Sequence, residues 1–395
     1  MGVSAPMTAY TVQDDPDTVR TITSHLNKLR EAVLKDLTDT VALVLMGGFS
    51  RGEGSVVKEA GRVVPLGDYD LLAITRRPHP VGTRLMAARL APSFGIDHID
   101  LGMFWYGLLP FVGKRIYWYE LKFGSRLLFG DGRVLRRIPI RGASEIDPYE
   151  GLRLMFNRLQ GMLRDFDPRF LAEPPPLSLR RRLVFESIKG VLACGDALLI
   201  LRGMYHYSYR QRLLNLKRLA SRSPRSLKFN GELLRDFEEA TRLKLQPAFA
   251  DSDCFPRVWF AARDHLLDAI RHCWEAYSGH TADGSASFPH VFLRNSAFKL
   301  LDYLMYSRSA IVESGLSRAL FRLDVSPSDV IRAALYSLAS SVRPNGIDEE
   351  ALNEALRLAA HMAPHARKTL RARSPIAQWL DARDIVGRAW SISRK

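Results

Sequence analysis

Cysteine is scarce in this 395-residue chain: Cys194, Cys254 and Cys273 stand far apart. Such a set makes neither a disulfide framework nor the paired spacing of a zinc site, and we expect three small, buried apolar side chains. Long apolar runs are missing too. The longest, such as 41–46 and 197–201, fall far short of the roughly 20 residues a membrane helix needs. The N-terminus has no basic-then-apolar leader, and Pro6 stands where a myristoylation signal wants Ser or Thr. These absences predict a cytoplasmic protein with no membrane span. No glycine-rich stretch ends in Gly-Lys-Ser or Gly-Lys-Thr, which excludes a P-loop. Gly52, Gly54 and Lys58 superficially resemble a protein-kinase loop, but the lysine follows too closely and the kinase catalytic motifs are lacking.

Acidic residues are in deficit, with 42 Asp and Glu against 57 Lys and Arg and a formal charge of +15. That balance points to an anionic partner. Most of the excess lies after residue 145. Between residues 180 and 228, basic side chains recur from Arg180, Arg181 and Arg182 to Arg225 and Lys228, opposed only by Glu186 and Asp196. We expect this segment to face something negative, or to be a solvated helix face.

What the chain does have is length and apolar content enough for two cores: 395 residues, 47% hydrophobic. Its first part reads as mixed α/β. A helix-period stretch over 18–37 leads to a buried strand at 41–46, and short β-branched or aromatic runs follow at 55–58, 63–75, 98–105 and 126–130. Residues 59–62 read as a hairpin tip. From Asp147, Pro148 and Glu150 onward the pattern is helical, with apolar spacings of three and four and a proline-rich linker at 173–178. The expected fold class is α+β, with a mixed-sheet domain over 1–145 followed by an all-helical bundle over 146–395.

Chemistry is concentrated in MGGFSRGEGSVVKEAGRVVPLGDYDLLAI, residues 46–74. Side chains alternate faces along a strand, so Asp68 and Asp70 point one way while Tyr69 and Leu71 point the other. An apolar strand has no structural use for two like charges that converge, unless divalent cations neutralise them. Asp100, between Ile99 and Leu101 on the next predicted strand, adds a third acid. Asp97, His98 and Asp100 also allow a hydrolase-type metal site, although His98 reads more simply as a packing residue. At Gly47 and Gly48 the bare backbone can approach a polyphosphate.

A glycine turn after a strand, a paired-aspartate strand and a later third acid together resemble the nucleotidyltransferase superfamily typified by DNA polymerase beta. Coverage is about residues 40–140. The resemblance implies that Gly48 and Ser50 contact the β and γ phosphates. It also implies that Asp68 and Asp70 ligate two Mg²⁺ ions, with Mn²⁺ as a substitute, and that Asp100 ligates one and helps deprotonate an acceptor hydroxyl. Ser50-Arg51-Gly52-Glu53 is similar to the turn of uridylyl- and aminoglycoside-type members, which makes Arg51 and Glu53 secondary nucleotide-site candidates. The interval from Gly48 to Asp68 is longer than usual in the family and reads as an inserted hairpin.

The expected activity is therefore metal-dependent transfer of an NMP from an NTP to a hydroxyl or phosphate of a small-molecule acceptor, with pyrophosphate released. A template-independent RNA-tailing enzyme and a non-catalytic nucleotide sensor or antitoxin-like protein on the same fold remain as alternatives. From the helical half, Arg158, Lys189, Tyr205 and Lys217 are candidates for phosphate or base contacts.

Overall fold

A computed structural model of the chain describes residues 9–13, 15–59, 61–66, 68–79, 83–94, 99–222, 231–247, 255–296, 325–363 and 374–393. Asp97, His98, Cys254, Arg225 and Lys228 lie outside them, so the readings placed on those residues concern undescribed positions.

The first helix, α1 (Pro16–Asp36), starts where Asp15 accepts the Thr18 amide, a side-chain cap for an otherwise orphaned donor. Its Ile22, Leu26, Leu29 and Val33, at spacings of four and three, form one apolar stripe. Strand β1 (Thr40–Leu45) and a single helical turn, α2 (Gly47–Ser50), come next. The β2 (Val56–Glu59) and β3 (Arg62–Pro65) strands pair only with each other, in a separate two-stranded sheet. A hairpin is thus present between α2 and the next strand, with Gly61 at φ +76° near its tip. Then follow β4 (Tyr69–Thr75), α3 (Arg84–Leu90), β5 (Ile99–Trp105), α4 (Ile116–Gly124) and β6 (Arg126–Gly130). Neither α3 nor α4 stood out in the sequence.

These strands build a four-stranded mixed sheet in the order β5-β4-β1-β6. Strand β1 runs antiparallel to both neighbours, whereas β4 and β5 are parallel. Leu43, Leu45, Tyr69, Leu71, Ala73, Ile99 and Leu101 pack in one cluster with the stripe of α1. Each of the leucines and the isoleucine contributes about 1.5–3 kcal/mol on burial. Since Tyr69 and Leu71 go into this cluster, Asp70 is directed to the opposite face.

The chain continues through α5 (Tyr149–Arg164) and α6 (Leu177–Leu201), then α7 (Tyr209–Arg222) and α8 (Gly231–Leu245). Asp147 accepts the Tyr149 amide at the start of α5, and Glu150 accepts the Ile116 amide. The chain falls into two compact units, residues 1–150 with 199–248, and 151–198 with 249–395. A single cut after residue 145 does not describe this division, because α7 and α8 belong to the unit that holds the mixed sheet. The coarse class is α+β, and helices predominate.

The second unit contains most of α5 and α6 and the helices Phe255–Ser278, Gly284–Arg294, Pro327–Ser341, Glu349–Met362 and Pro375–Ser393. Phe166 stacks on Trp259 at 4.0 Å and meets Trp379 edge-on in its core. Cys194 and Cys273 are buried there, as the composition suggested. No helix among the described residues is long and apolar enough to cross a membrane.

Candidate active site

At the end of β1, the Met46 amide donates to the Asp70 carbonyl, and the chain turns at once through Gly47. Gly47 has φ +69°, and a Cβ on it would sit 2.2 Å from Asp70 Oδ2. Both facts require glycine at this position. They also show that the turn lies directly against the Asp70 carboxylate. A Cβ on Gly48 would meet the Glu53 carbonyl at 2.8 Å, so close backbone packing demands that glycine too. We expect Gly47→Ala to destabilise the fold by at least the 1–2 kcal/mol that left-handed backbone costs an L side chain, with the Asp70 clash adding to it. Denaturant unfolding measures this, and an unchanged midpoint would contradict the geometry.

The register of the parallel β4–β5 pair sets Asp70 opposite Asp100, and Tyr69 opposite Ile99. Two of the three expected acids are therefore side by side on adjacent strands. Asp68 lies one residue before β4, and its charge also acts on Asp70. Burial first, then Asp100 and Asp68, push the Asp70 carboxyl up to about 7, against a smaller opposing effect from Arg51. Oxygen-only donors of this kind suit a hard divalent cation. Among the described residues, however, no group of three or more His, Cys, Asp or Glu could hold a metal ion by itself. Any cation held here would need further ligands from outside these carboxylates.

The other residues of the turn face inward. Ser50 Oγ donates to the carbonyls of Gly47 (2.8 Å) and Gly124 (2.6 Å). Arg51 donates through Nε to the Gly47 carbonyl and through Nη1 to Glu120 (3.0 Å) and the Tyr207 carbonyl. Glu53 accepts from Ser208 Oγ and from the amides of Tyr209 and Arg210. It caps the start of α7, where the helix dipole favours a negative charge. In this structure Ser50, Arg51 and Glu53 therefore hold the turn in place from behind.

Glu120, on α4, is the centre of that support. It accepts from Arg51, from Arg212 Nη2 (2.5 Å) and from the Tyr205 hydroxyl (2.6 Å). Burial raises its pKa, but Arg51, Arg212 and the Tyr205 hydrogen bond together hold it down at about 2. Arg212 also lies over the rings of Tyr205 and Tyr209, at 4.4 and 4.5 Å. Sequence reading missed Glu120. Its signal was a lone carboxylate in the aromatic stretch YWYELKF, the same kind of anomaly that singled out Asp70.

Of the remaining candidates, Lys217 on α7 pairs with Glu238 on α8 at 2.6 Å. Lys189 and Arg158 belong to the second unit, where Lys189 binds Glu186 at 2.8 Å and both cations lower the pKa of that acid. The described residues of the basic segment are divided between the two units. Arg182 pairs with Asp165 in the second unit, whereas Arg212 is buried against Glu120 in the first. No family model matches this chain, and comparison with curated proteins and with solved structures finds no match either.

Proposed function

We propose that the chain transfers a nucleotide from an NTP to an acceptor hydroxyl, at the face of the sheet that carries Asp70 and Asp100. One observation carries this reading: two aspartates in register on parallel strands, one of them pressed against a left-handed glycine turn. Asp70 and Asp100, with Asp68 beside them, would hold Mg²⁺ together with triphosphate oxygens. Such sharing is the usual arrangement for Mg²⁺, which is commonly bound by one or two carboxylates plus substrate phosphates. It accounts for an incomplete protein ligand set. When bound, the cation supplies neutralisation of phosphate charge and polarisation of the reacting groups.

The chain's own residues do the rest. The Gly47–Gly48 backbone lets the phosphates approach, and Arg51 fixes that backbone through the Gly47 carbonyl. Asp100, exposed on β5, takes the proton of the acceptor hydroxyl. The hydroxyl oxygen then bonds to the α-phosphorus, the bond to the α,β-bridging oxygen breaks, and pyrophosphate leaves. A binding-only nucleotide sensor is favoured by one fact, the inward engagement of Ser50, Arg51 and Glu53. The test that separates the two is pyrophosphate release from the four NTPs with Mg²⁺ and pooled hydroxyl acceptors. Release by the wild type and its loss in Asp70→Asn support transfer. NTP binding without release favours the sensor.

A further inference from the structure

Strand β5 is an edge of the four-stranded sheet, with β4 inside it and β1 beyond. Across the sheet the order is therefore glycine turn, Asp70, Asp100, at strand spacings of about 4.8 Å. In an in-line displacement the attacking and leaving oxygens lie on opposite sides of the phosphorus. With the leaving pyrophosphate at the turn after β1, the acceptor comes from the β5 side.

An aromatic side chain stands there. Asp100, Gly102 and Phe104 share one face of β5, and a Cβ on Gly102 would lie 3.9 Å from the Tyr117 hydroxyl. The phenol oxygen therefore lies at ordinary contact distance from the strand position that follows Asp100 on this face. Tyr117 is 42% exposed, yet burial, then Asp100 and Asp70, raise its hydroxyl above the ordinary range. The hydroxyl end thus points toward the acids while ring surface faces solvent. The ring is braced by Trp118 (4.9 Å, 89°), which in turn packs on Phe104 (4.6 Å).

We infer that Tyr117 positions the acceptor by stacking a nucleobase on its exposed ring, so that the acceptor is a nucleoside hydroxyl, either free or at the 3′ end of a strand. This rests on the nucleotidyl-transfer reading. A bare sugar fits less well, because its hydroxyls need hydrogen-bonding partners and residues 104–118 contain no Asn, Gln, Ser, Thr, Asp or Glu. They do contain Lys114 and Arg115 at the start of α4, and Arg137 lies 4.4 Å over the Tyr106 ring. Aromatic faces among cations suit bases and phosphates. This assignment narrows the small acceptor expected of the sequence to a nucleoside, or replaces it with the strand end of the RNA alternative, and it places acceptor binding at the edge of the sheet.

The experiment is calorimetric titration of wild type, Tyr117→Leu and Tyr117→Phe with adenosine and with hexaadenylate at one salt concentration. ATP with Mg²⁺ is titrated into the same three proteins. Base stacking on an aromatic side chain is worth about 1–3 kcal/mol, so Tyr117→Leu should weaken the adenylate probes about 5- to 150-fold. Tyr117→Phe, which keeps the ring, should bind close to wild type, and ATP affinity should be unchanged throughout. Binding of both probes indicates a free nucleoside, and binding of hexaadenylate alone a strand end; either supports the proposal. It is overturned if neither probe binds wild type, if Tyr117→Leu binds them as wild type does, or if ATP binding falls in parallel. If wild type fails to bind any NTP with Mg²⁺, the transfer reading itself falls, so the two failures are distinguishable.

Discussion

Asp70→Asn should lower pyrophosphate release by about 10²- to 10³-fold, the scale on which loss of one group that stabilises transition-state charge is felt. The same change should make the metal-free protein more stable. Asp70 is desolvated beside Asp100 and Asp68, and its carboxyl is raised from 3.8 to about 7. A raised acid stabilises the fold below its unfolded value, and that contribution is lost as pH climbs through the folded value. Asn does not titrate, so the variant should gain on wild type from about pH 4 upward and lead by roughly 2–4 kcal/mol at pH 8. Thermal melts across this range decide the matter. A variant that is less stable at pH 8 would make Asp70 a structural residue.

Glu120→Ala should have the opposite effect on stability, a loss of about 3–5 kcal/mol, because it leaves two buried arginines without their shared carboxylate. The Arg51 and Arg212 side chains are only 5% and 3% exposed. The acid limb of wild-type stability carries the same information. Glu120 is held at about 2 against an ordinary 4.5. A depressed acid contributes above its unfolded value and is lost as pH falls through the folded value. Roughly 3 kcal/mol should therefore disappear between pH 4.5 and 2. Glu120→Gln should lack this component. An acid limb identical in Glu120→Gln and wild type would show that the carboxylate is not held by its cations.

What the sequence made legible was local. The alternation of Asp68, Tyr69 and Asp70, the hairpin before β4 and the periodic helices all follow from short-range geometry, but the run 63–75 divides between β3 and β4 in separate sheets, and a short strand pair, Val342–Arg343 with Gly346–Ile347, falls in the half expected to be all-helical. The unit boundary was not legible, because α6 runs without a break from Leu177 to Leu201 while the chain changes unit at Leu199. Nor could the motif Ser50-Arg51-Gly52-Glu53 reveal its partners. Glu53 caps a helix that starts at Tyr209, and Arg51 meets a carboxylate at residue 120. A phosphate-facing arginine and a buried supporting one look the same in sequence. Likewise, Arg212 counted toward a basic surface until Glu120 was found beside it.

The central claim is that Asp70 and Asp100 share a divalent cation with a nucleotide. Its most direct test is calorimetry of the wild-type protein with each of the four NTPs, in Mg²⁺ or Mn²⁺ and again in excess chelator. Without a cation, the clustered carboxylates repel a triphosphate. At least one NTP should bind when metal is present, and its affinity should fall at least about tenfold, or about 1.4 kcal/mol, when the metal is removed. Equal affinity with and without metal, or no binding in either condition, would contradict it.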